Sequence, residues 1–159
     1  MNKTKVLITG GAGYVGSVMT PLLLSQGFHV TVLDSFVGRQ GTLMDVCSNP
    51  DFEVIRGDCR DEKLMTSVLK DKDVIIPLAA VVGAPLCDMD RAGAQSINID
   101  SIKMLTKIAS KSQKIMYPTT NSGYGIGEKD KFCTEDSPLR PVSFYGSSKS
   151  DAEKIILDR

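Results

Sequence analysis

The sequence predicts an α/β fold built on a doubly wound parallel sheet. Short, almost wholly apolar runs recur along the chain with helical stretches between them, as in right-handed βαβ units. Strands that are apolar along their whole length are typical of a parallel sheet covered by helices on both faces. A glycine-rich turn directly follows the first predicted strand, where such a fold passes from strand to helix.

The predicted elements are bounded by residues that start or end regular structure. We expect strands at residues 5–9, 29–33, 52–55, 73–76 and 114–117. We expect helices at residues 13–26, within 38–48, at 61–70, at 96–110 and from 143 to the end. Gly27 ends the first helix, Pro50 stops the second, and Asp61 is predicted as the N-cap of the third. Residues 119–142, rich in Gly, Ser, Thr and Pro, are predicted as loop.

The composition indicates which classes of binding partner to expect. The 159 residues, 42% hydrophobic and 24% charged, are ordinary for one soluble domain with its own core. Lys plus Arg equal Asp plus Glu at 19 each, which gives no support for nucleic acid or an anionic membrane as partner. No apolar run approaches the roughly 20 residues of a membrane span, and the start lacks a signal peptide. The four cysteines have no C-x-x-C spacing, so we expect no metal site and reduced thiols in a cytoplasmic protein.

The glycine turn, Gly10-Gly11-Ala12-Gly13-Tyr14-Val15-Gly16, has a pattern that binds dinucleotides. Gly11, Gly13 and Gly16 satisfy G-x-G-x-x-G, whereas Gly10, Gly13 and Gly16 satisfy the variant G-x-x-G-x-x-G. Glycines allow the sharp turn, let backbone N–H groups reach a pyrophosphate, and let helix and strand pack closely. The positive end of the helix dipole then faces the phosphates.

Two acidic residues end predicted strands near this turn. Asp34 ends the second strand, where a carboxylate accepts hydrogen bonds from both hydroxyls of the adenosine ribose. It would also repel a 2′-phosphate, so NAD is favoured over NADP, although the nearby Arg39 leaves NADP open. Asp58 follows the third strand and is either an adenine contact or a helix N-cap.

Tyr145 and Lys149 are the second group of chemistry-bearing residues. At i and i+4 they lie on one face of the last predicted helix. A phenol ordinarily titrates at about pH 10, and a neighbouring ammonium favours the phenolate. Such a pair can exchange a proton with a substrate hydroxyl while a nicotinamide takes the hydride. The alternative is an ordinary surface pair. The hydroxyls of Thr119, Thr120 and Ser122 would bind a substrate oxygen, or form a plain polar turn.

These residues together resemble the extended short-chain dehydrogenase/reductase family, in particular its NAD-dependent nucleotide-sugar epimerases and dehydratases. Five motifs occur in the family's order, at roughly its spacing, over essentially all 159 residues. They are Gly10-Gly11-Ala12-Gly13-Tyr14-Val15-Gly16, Asp34, Gly57-Asp58, Leu78-Ala79-Ala80, and Tyr145 with Lys149. The resemblance implies a Rossmann-type sheet and NAD as the cofactor.

The resemblance also implies a role for each matched residue. Tyr145 looks like the catalytic acid/base, and Lys149 like the lysine that modulates it and binds the nicotinamide ribose. Thr120 falls on the family's catalytic Ser/Thr, and Asn98 on a structural Asn. The implied cofactor contacts are Gly10, Gly13, Tyr14, Val15, Gly16, Asp34, Asp58, Cys59, Leu78, Ala79, Ala80, Tyr145 and Lys149.

Three departures from the family pattern qualify these expectations. Pro77 stands where the family often has His, so the exit of the fourth strand is expected to differ. Dehydratases usually place Asp-Glu directly after the catalytic Thr, whereas Asn121 and Ser122 stand here, which favours epimerisation or reduction. Such enzymes run to about twice this length. We therefore expect residues 1–159 to be one NAD-binding Rossmann domain, the N-terminal portion of a longer enzyme, truncated before its C-terminal substrate lobe.

The leading hypothesis for function is a nucleotide-sugar epimerase. Tyr145, Lys149 and Thr120, with NAD, would transiently oxidise a sugar hydroxyl. The alternatives are a non-catalytic NAD-binding module, and a nucleotide-sugar dehydratase or reductase. The resemblance further implies a homodimer that pairs through the helix bearing Tyr145 and the helix over 96–110.

Overall fold

A computed structural model describes residues 3–38, 41–127 and 131–159. The chain divides into two compact units. The first, called the sheet unit, comprises the described residues of Met1–Ala79 together with Lys107–Pro118. The second, called the helical unit, comprises Ala80–Thr106 and the described residues of Thr119–Arg159.

The sheet unit contains a five-stranded sheet in which every pairing is parallel. Its strands, in the order β3-β2-β1-β4-β5, are β1 Lys5–Thr9, β2 His29–Asp34, β3 Phe52–Arg56, β4 Val74–Pro77 and β5 Lys114–Ile115. The order reverses at β1, which pairs with β2 on one side and with β4 on the other. This is the strand order of a Rossmann-like fold, and it confirms the predicted fold class.

The main hydrophobic cluster of the sheet unit lies on one face of the sheet, because its strand residues are two positions apart. Val6, Ile8, Val30 and Val32 on β1 and β2 are almost wholly buried. They form one cluster with Ala12 of the following turn, Leu24 of the first helix, Leu43 of a loop and Ile76 of β4. Removal of these aliphatic side chains from water supplies the main stabilisation of the sheet.

Two helices of the sheet unit lie close to their predicted positions. Helix α1 spans Tyr14–Ser25, and α2 spans Glu62–Val68. The Asp61 side chain accepts a hydrogen bond from the Leu64 N–H at 3.1 Å, which confirms Asp61 as the N-cap of α2. Within residues 38–48, the described part has one short 3-10 turn, Met44–Val46.

The helical unit differs more from the predicted pattern. It contains α3 Ala84–Met89, which was not predicted, then α4 Arg91–Gln95, a π-helical turn over Ser96–Asp100, α5 Ser101–Ile108, and α6 Phe144–Leu157. The prediction of one regular helix over 96–110 is therefore wrong in its start and in its regularity. The earlier start has a clear cause, since the Asp90 carboxylate caps α4 by accepting from the Gly93 N–H at 2.9 Å.

Strand β5 is shorter than the predicted 114–117. Its ladder with β4 pairs Val74 with Lys114 and Ile75 with Ile115, and the Met116 N–H then donates to the Ile75 carbonyl at 2.9 Å. The next donor in a parallel ladder of this register is the N–H of residue 77, which proline lacks. Pro77, the last residue of β4, thus ends the pairing.

Two classes of feature are not found among the described residues. Of the helices over 3–38, 41–127 and 131–159, none has the length and apolar character needed to cross a bilayer. In the same ranges, no three His, Cys, Asp or Glu residues are grouped to hold a metal ion. The four cysteines are unbridged.

Candidate functional site

The glycine turn packs tightly at the carboxyl end of β1. Gly10 has a φ of +73°, and a Cβ at this position would lie 2.6 Å from the Ala79 backbone nitrogen. A Cβ on Gly16 would overlap the Gly11 carbonyl oxygen. Both positions therefore require glycine, one for conformation and space and the other for the close contact of turn and helix. The turn lies beside β4, at the point where the strand order reverses.

The turn leads into the N-terminus of α1. Gly13 is the N-cap residue, and among the described residues no side chain caps this helix. The first-turn N–H groups of a helix have no intrahelical partner, and together with the helix dipole they form an anion site. Tyr14 and Val15 begin the helix with 89% and 52% of their surface exposed. The geometry fits a pyrophosphate at this end of α1.

Asp34 is fixed by two backbone hydrogen bonds. Its carboxylate accepts from the Ala12 N–H at 2.9 Å and from the Phe36 N–H at 2.7 Å. One bond ties it to the glycine turn and the other to the loop after β2. Each carboxylate oxygen has a further lone pair, so Asp34 can still accept from a ribose hydroxyl. Thr42 also holds the turn, since its hydroxyl donates to the Ala12 carbonyl at 2.7 Å.

Asp58 is paired with Arg60 after β3. The Arg60 Nε lies 2.9 Å and 3.0 Å from the two carboxylate oxygens, and the Arg60 backbone N–H also donates to Asp58. These bonds lower the pKa of the Asp58 carboxyl group, against a smaller opposing effect of burial. The alternative that Asp58 caps the helix is wrong, since Asp61 does so. Cys59 is half-buried beside it, and Arg39 lies outside the described residues.

The predicted cofactor loop follows β4. The Leu78 N–H donates to the Thr9 carbonyl at 2.9 Å, so the loop starts in register with the end of β1. Leu78 and Ala79 belong to the sheet unit, and Ala80 is the first residue of the helical unit. All three are half-buried.

Tyr145 and Lys149 lie on α6 of the helical unit, as predicted. The Ser143 hydroxyl caps this helix by accepting from the Gly146 N–H at 3.0 Å. Tyr145 is half-buried, whereas Lys149 is 5% exposed. Burial lowers the pKa of the Lys149 ammonium to about 8, and the Glu153 carboxylate one turn further along opposes that shift. Lys149 remains mainly protonated at neutral pH.

The predicted hydroxyl residues have different partners. The Thr119 hydroxyl donates to the Glu153 carboxylate at 3.2 Å. Glu153 is the residue whose negative charge raises the pKa of Lys149. Thr120 is the N-cap of the 3-10 turn Asn121–Tyr124, where its hydroxyl oxygen accepts from the Ser122 N–H at 3.2 Å. The hydroxyl hydrogen of Thr120 is not used in that bond, so it can donate to an oxygen.

Asn98 lies in the π-helical turn and is 2% exposed. Its side chain forms a two-way bond with the backbone of Val81, accepting from the N–H at 2.8 Å and donating to the carbonyl at 3.0 Å. Asn98 also donates to the Ser148 hydroxyl at 3.2 Å. The buried Cys87 thiol donates to the same Val81 carbonyl, and burial raises the pKa of that thiol.

The sequence does not predict three residues that interact with the glycine turn, Tyr145 or Lys149. Glu153 follows Lys149 at the same spacing as Lys149 follows Tyr145, so helical periodicity was the available signal. Thr42 and Ser148 had no such signal, because their partners are distant in the sequence.

A parallel sheet with an uncapped helix after a glycine turn, and an acidic residue at the end of β2, defines the Rossmann-like class of nucleotide-binding proteins. The sequence model of a family described as the NAD dependent epimerase/dehydratase family matches residues 6–159. The chain therefore belongs to the NAD dependent epimerase/dehydratase family, which confirms the resemblance noted from its motifs.

Similar curated proteins include sugar-nucleotide epimerases. A probable UDP-arabinose 4-epimerase of Oryza sativa subsp. japonica is 33% identical over 165 residues, covering 98% of this chain and 39% of that protein. A UDP-glucose 4-epimerase of Lactobacillus helveticus is 31% identical over 156 residues, covering 96% of this chain and 46% of that protein. The chain thus spans less than half the length of these relatives.

Solved structures of similar fold include a UDP-glucuronic acid 4-epimerase of Bacillus cereus in complex with UDP-glucuronic acid and NAD. It has a TM-score of 0.86 and 30% identity, with 96% of this chain and 51% of that chain covered. A dTDP-glucose 4,6-dehydratase of Bacillus anthracis in complex with NAD has a TM-score of 0.83 and 26% identity, covering 98% of this chain and 50% of that chain.

Proposed function

We propose that the chain supplies the cofactor-binding and acid/base residues of an NAD-dependent UDP-sugar 4-epimerase. The observation that carries the proposal is the buried Lys149, mainly protonated and placed one helical turn after Tyr145. A buried lysine with a lowered pKa is more typical of an acid/base site than of an ordinary surface pair. Three of the four similar proteins named above are UDP-sugar 4-epimerases, and this supports the substrate class.

The residues of the sheet unit fit NAD. Gly10, Gly13, Tyr14, Val15 and Gly16 would hold the pyrophosphate at the N-terminus of α1. Asp34 would accept the adenosine ribose hydroxyls, and its negative charge disfavours a 2′-phosphate. The remaining predicted contacts are Asp58, Cys59, Leu78 and Ala79 of the sheet unit, and Ala80, Tyr145 and Lys149 of the helical unit. Bound NAD supplies a hydride acceptor and, once reduced, a hydride donor.

The residues of the helical unit fit proton transfer. The Tyr145 phenol would take the proton of a sugar hydroxyl and return it later. The Lys149 ammonium would favour the phenolate form during that exchange, and the Glu153 carboxylate favours the charged form of Lys149 against the larger effect of burial. Thr120 would donate its free hydroxyl hydrogen to the sugar oxygen.

The test combines binding with turnover. Isothermal titration of the chain with NAD should give saturable binding, and NADP should bind more weakly. Turnover would be followed in the full-length protein that contains this chain, with UDP-glucose, UDP-arabinose and UDP-glucuronic acid, using the Tyr145→Phe variant as the matched control. Loss of turnover with retained NAD binding in Tyr145→Phe would support the proposal. Activity that survives Tyr145→Phe would overturn it.

The alternatives give different results in the same experiment. NAD binding without turnover of any UDP-sugar would favour a non-catalytic NAD-binding module. A product that leaves stoichiometric NADH in solution would favour a reductase or dehydrogenase. A single NAD-binding domain over residues 1–159, a homodimer and a cytoplasmic location stay predictions, and sedimentation would test the second of them.

A further inference from the structure

Ser148 lies between the two predicted acid/base residues and joins two parts of the helical unit. Its side chain is fully buried. The hydroxyl donates to the Tyr145 carbonyl at 2.8 Å and accepts from the Asn98 side-chain amide at 3.2 Å. The same Asn98 amide group is held by the Val81 backbone on its other side.

These hydrogen bonds connect Val81 through Asn98 to Ser148, and both Val81 and Ser148 are neighbours in sequence of predicted functional residues. Val81 directly follows the predicted cofactor loop that ends at Ala80. Tyr145 and Lys149 flank Ser148 on the first turns of α6. A rotation or slide of α6 would break the bond from Asn98 to Ser148, so the bond fixes the helix relative to Val81.

We propose that Ser148 is a positioning residue, which acts through Asn98 and the Val81 backbone to hold Tyr145 and Lys149 in place. The inference rests on the proposed function, because it gives Ser148 significance only if Tyr145 and Lys149 contact the cofactor. It adds a role for a residue that the motif pattern leaves unassigned.

The neighbouring serines show what distinguishes Ser148. The Ser147 hydroxyl donates to the Phe144 carbonyl at 3.0 Å, and the Ser150 hydroxyl donates to the Gly146 carbonyl at 3.1 Å. Both make the local backbone bond that Ser148 makes, but Asn98 bonds to Ser148. Ser147→Ala is therefore a matched control, since it removes the same hydroxyl from the same helix without cutting the link to Val81.

The experiment compares two ligands in the 159-residue chain. ADP carries the adenine, ribose and pyrophosphate, and NADH adds the nicotinamide ribose that Tyr145 and Lys149 are predicted to contact. We expect Ser148→Ala to weaken NADH binding by about three- to tenfold, the typical effect of one lost buried hydrogen bond, with ADP affinity unchanged. Ser147→Ala should change neither affinity. Thermal unfolding of each variant confirms that it is folded.

The outcomes separate the two proposals. Equal NADH affinities for wild type, Ser148→Ala and Ser147→Ala would overturn the role of Ser148 and leave the proposed function intact. A parallel loss of ADP and NADH affinity would reduce Ser148 to a structural residue and also overturn the inference. If wild type does not bind NADH, the proposed function fails and the inference fails with it. If Ser148→Ala does not fold, Ser148→Cys, whose sulfur is a weaker acceptor for the Asn98 amide, answers the same question.

Discussion

Lys149 is both buried and charged, and this lowers the free energy of unfolding by an amount that depends on pH. Its pKa is lowered from 10.5 to about 8 by burial, so the folded chain binds this proton less tightly than the unfolded chain does. Between these values the unfolded state holds more protons, and the free energy of unfolding therefore rises with pH across that window. Below pH 8 the full cost of the buried ammonium is present.

Replacement of Lys149 by methionine is expected to stabilise the chain at pH 7. The pKa shift corresponds to a gain on the order of 3 kcal/mol in the free energy of unfolding. The gain should shrink as the pH rises from 8 towards 10.5, because Lys149 is then already neutral in the folded state. Urea unfolding at pH 7 and pH 10 measures the difference. The control is Lys154→Met on the exposed side of the same helix, and an equal gain there would contradict the role of burial.

Asp34 is expected to set the choice between the two nicotinamide cofactors. Asp34→Asn removes the charge that repels a 2′-phosphate while it keeps one acceptor oxygen for the glycine turn. The ratio of NADP to NAD affinity should rise by about tenfold, the size of one unfavourable charge contact. Titration calorimetry with both cofactors measures it. Asp45→Asn, an exposed charge of the same unit, is the control and should leave the ratio unchanged.

At the scale of elements, the cap of α6 holds the first turn that carries Tyr145. Ser143→Ala removes the acceptor of the Gly146 N–H and should lower the free energy of unfolding by about 1 kcal/mol. Ser143→Asp keeps an acceptor and should retain most of the stability. Urea denaturation of the two variants provides the comparison. A Ser143→Asp variant as unstable as Ser143→Ala would argue against capping.

Elements governed by their own residues were predictable, and elements governed by their partners were not. The first three strands and Asp61 as a cap follow from local pattern, and the structure agrees within a residue at each end. The early end of β5 depends on a proline in the neighbouring strand. The π-helical turn holds Asn98 against Val81 and Ser148, contacts that no local periodicity reports.

The residues of the candidate site fall into the same two groups, those predictable from their own sequence and those that depend on distant partners. The glycine turn, Asp34, Tyr145 and Lys149 are recognisable because their spacing along the chain is itself the signal. The buried state of Lys149 and the bond between Thr119 and Glu153 depend on how distant segments pack. The sequence therefore predicts the candidate site residues more readily than the residues that contact them.

For the whole molecule, bound NAD should act as a stabilising ligand. A ligand at 100 times its dissociation constant adds about 2.7 kcal/mol to the free energy of unfolding when it binds the folded state alone. Thermal unfolding at rising NAD concentration should show a midpoint that increases with the logarithm of the concentration. Gly16→Val, which would clash with the Gly11 carbonyl, should abolish this dependence. A concentration-dependent rise that persists in Gly16→Val would place the cofactor elsewhere.

The short β5 also bears on solubility. Among the described residues β5 is the last strand in the sheet order, and unpaired edge strands recruit strands from other molecules. Only two residues of β5 belong to the ladder, so few aligned backbone donors and acceptors are offered to an incoming strand. By ending the pairing early, Pro77 limits the length of template available for edge-to-edge aggregation during expression and storage.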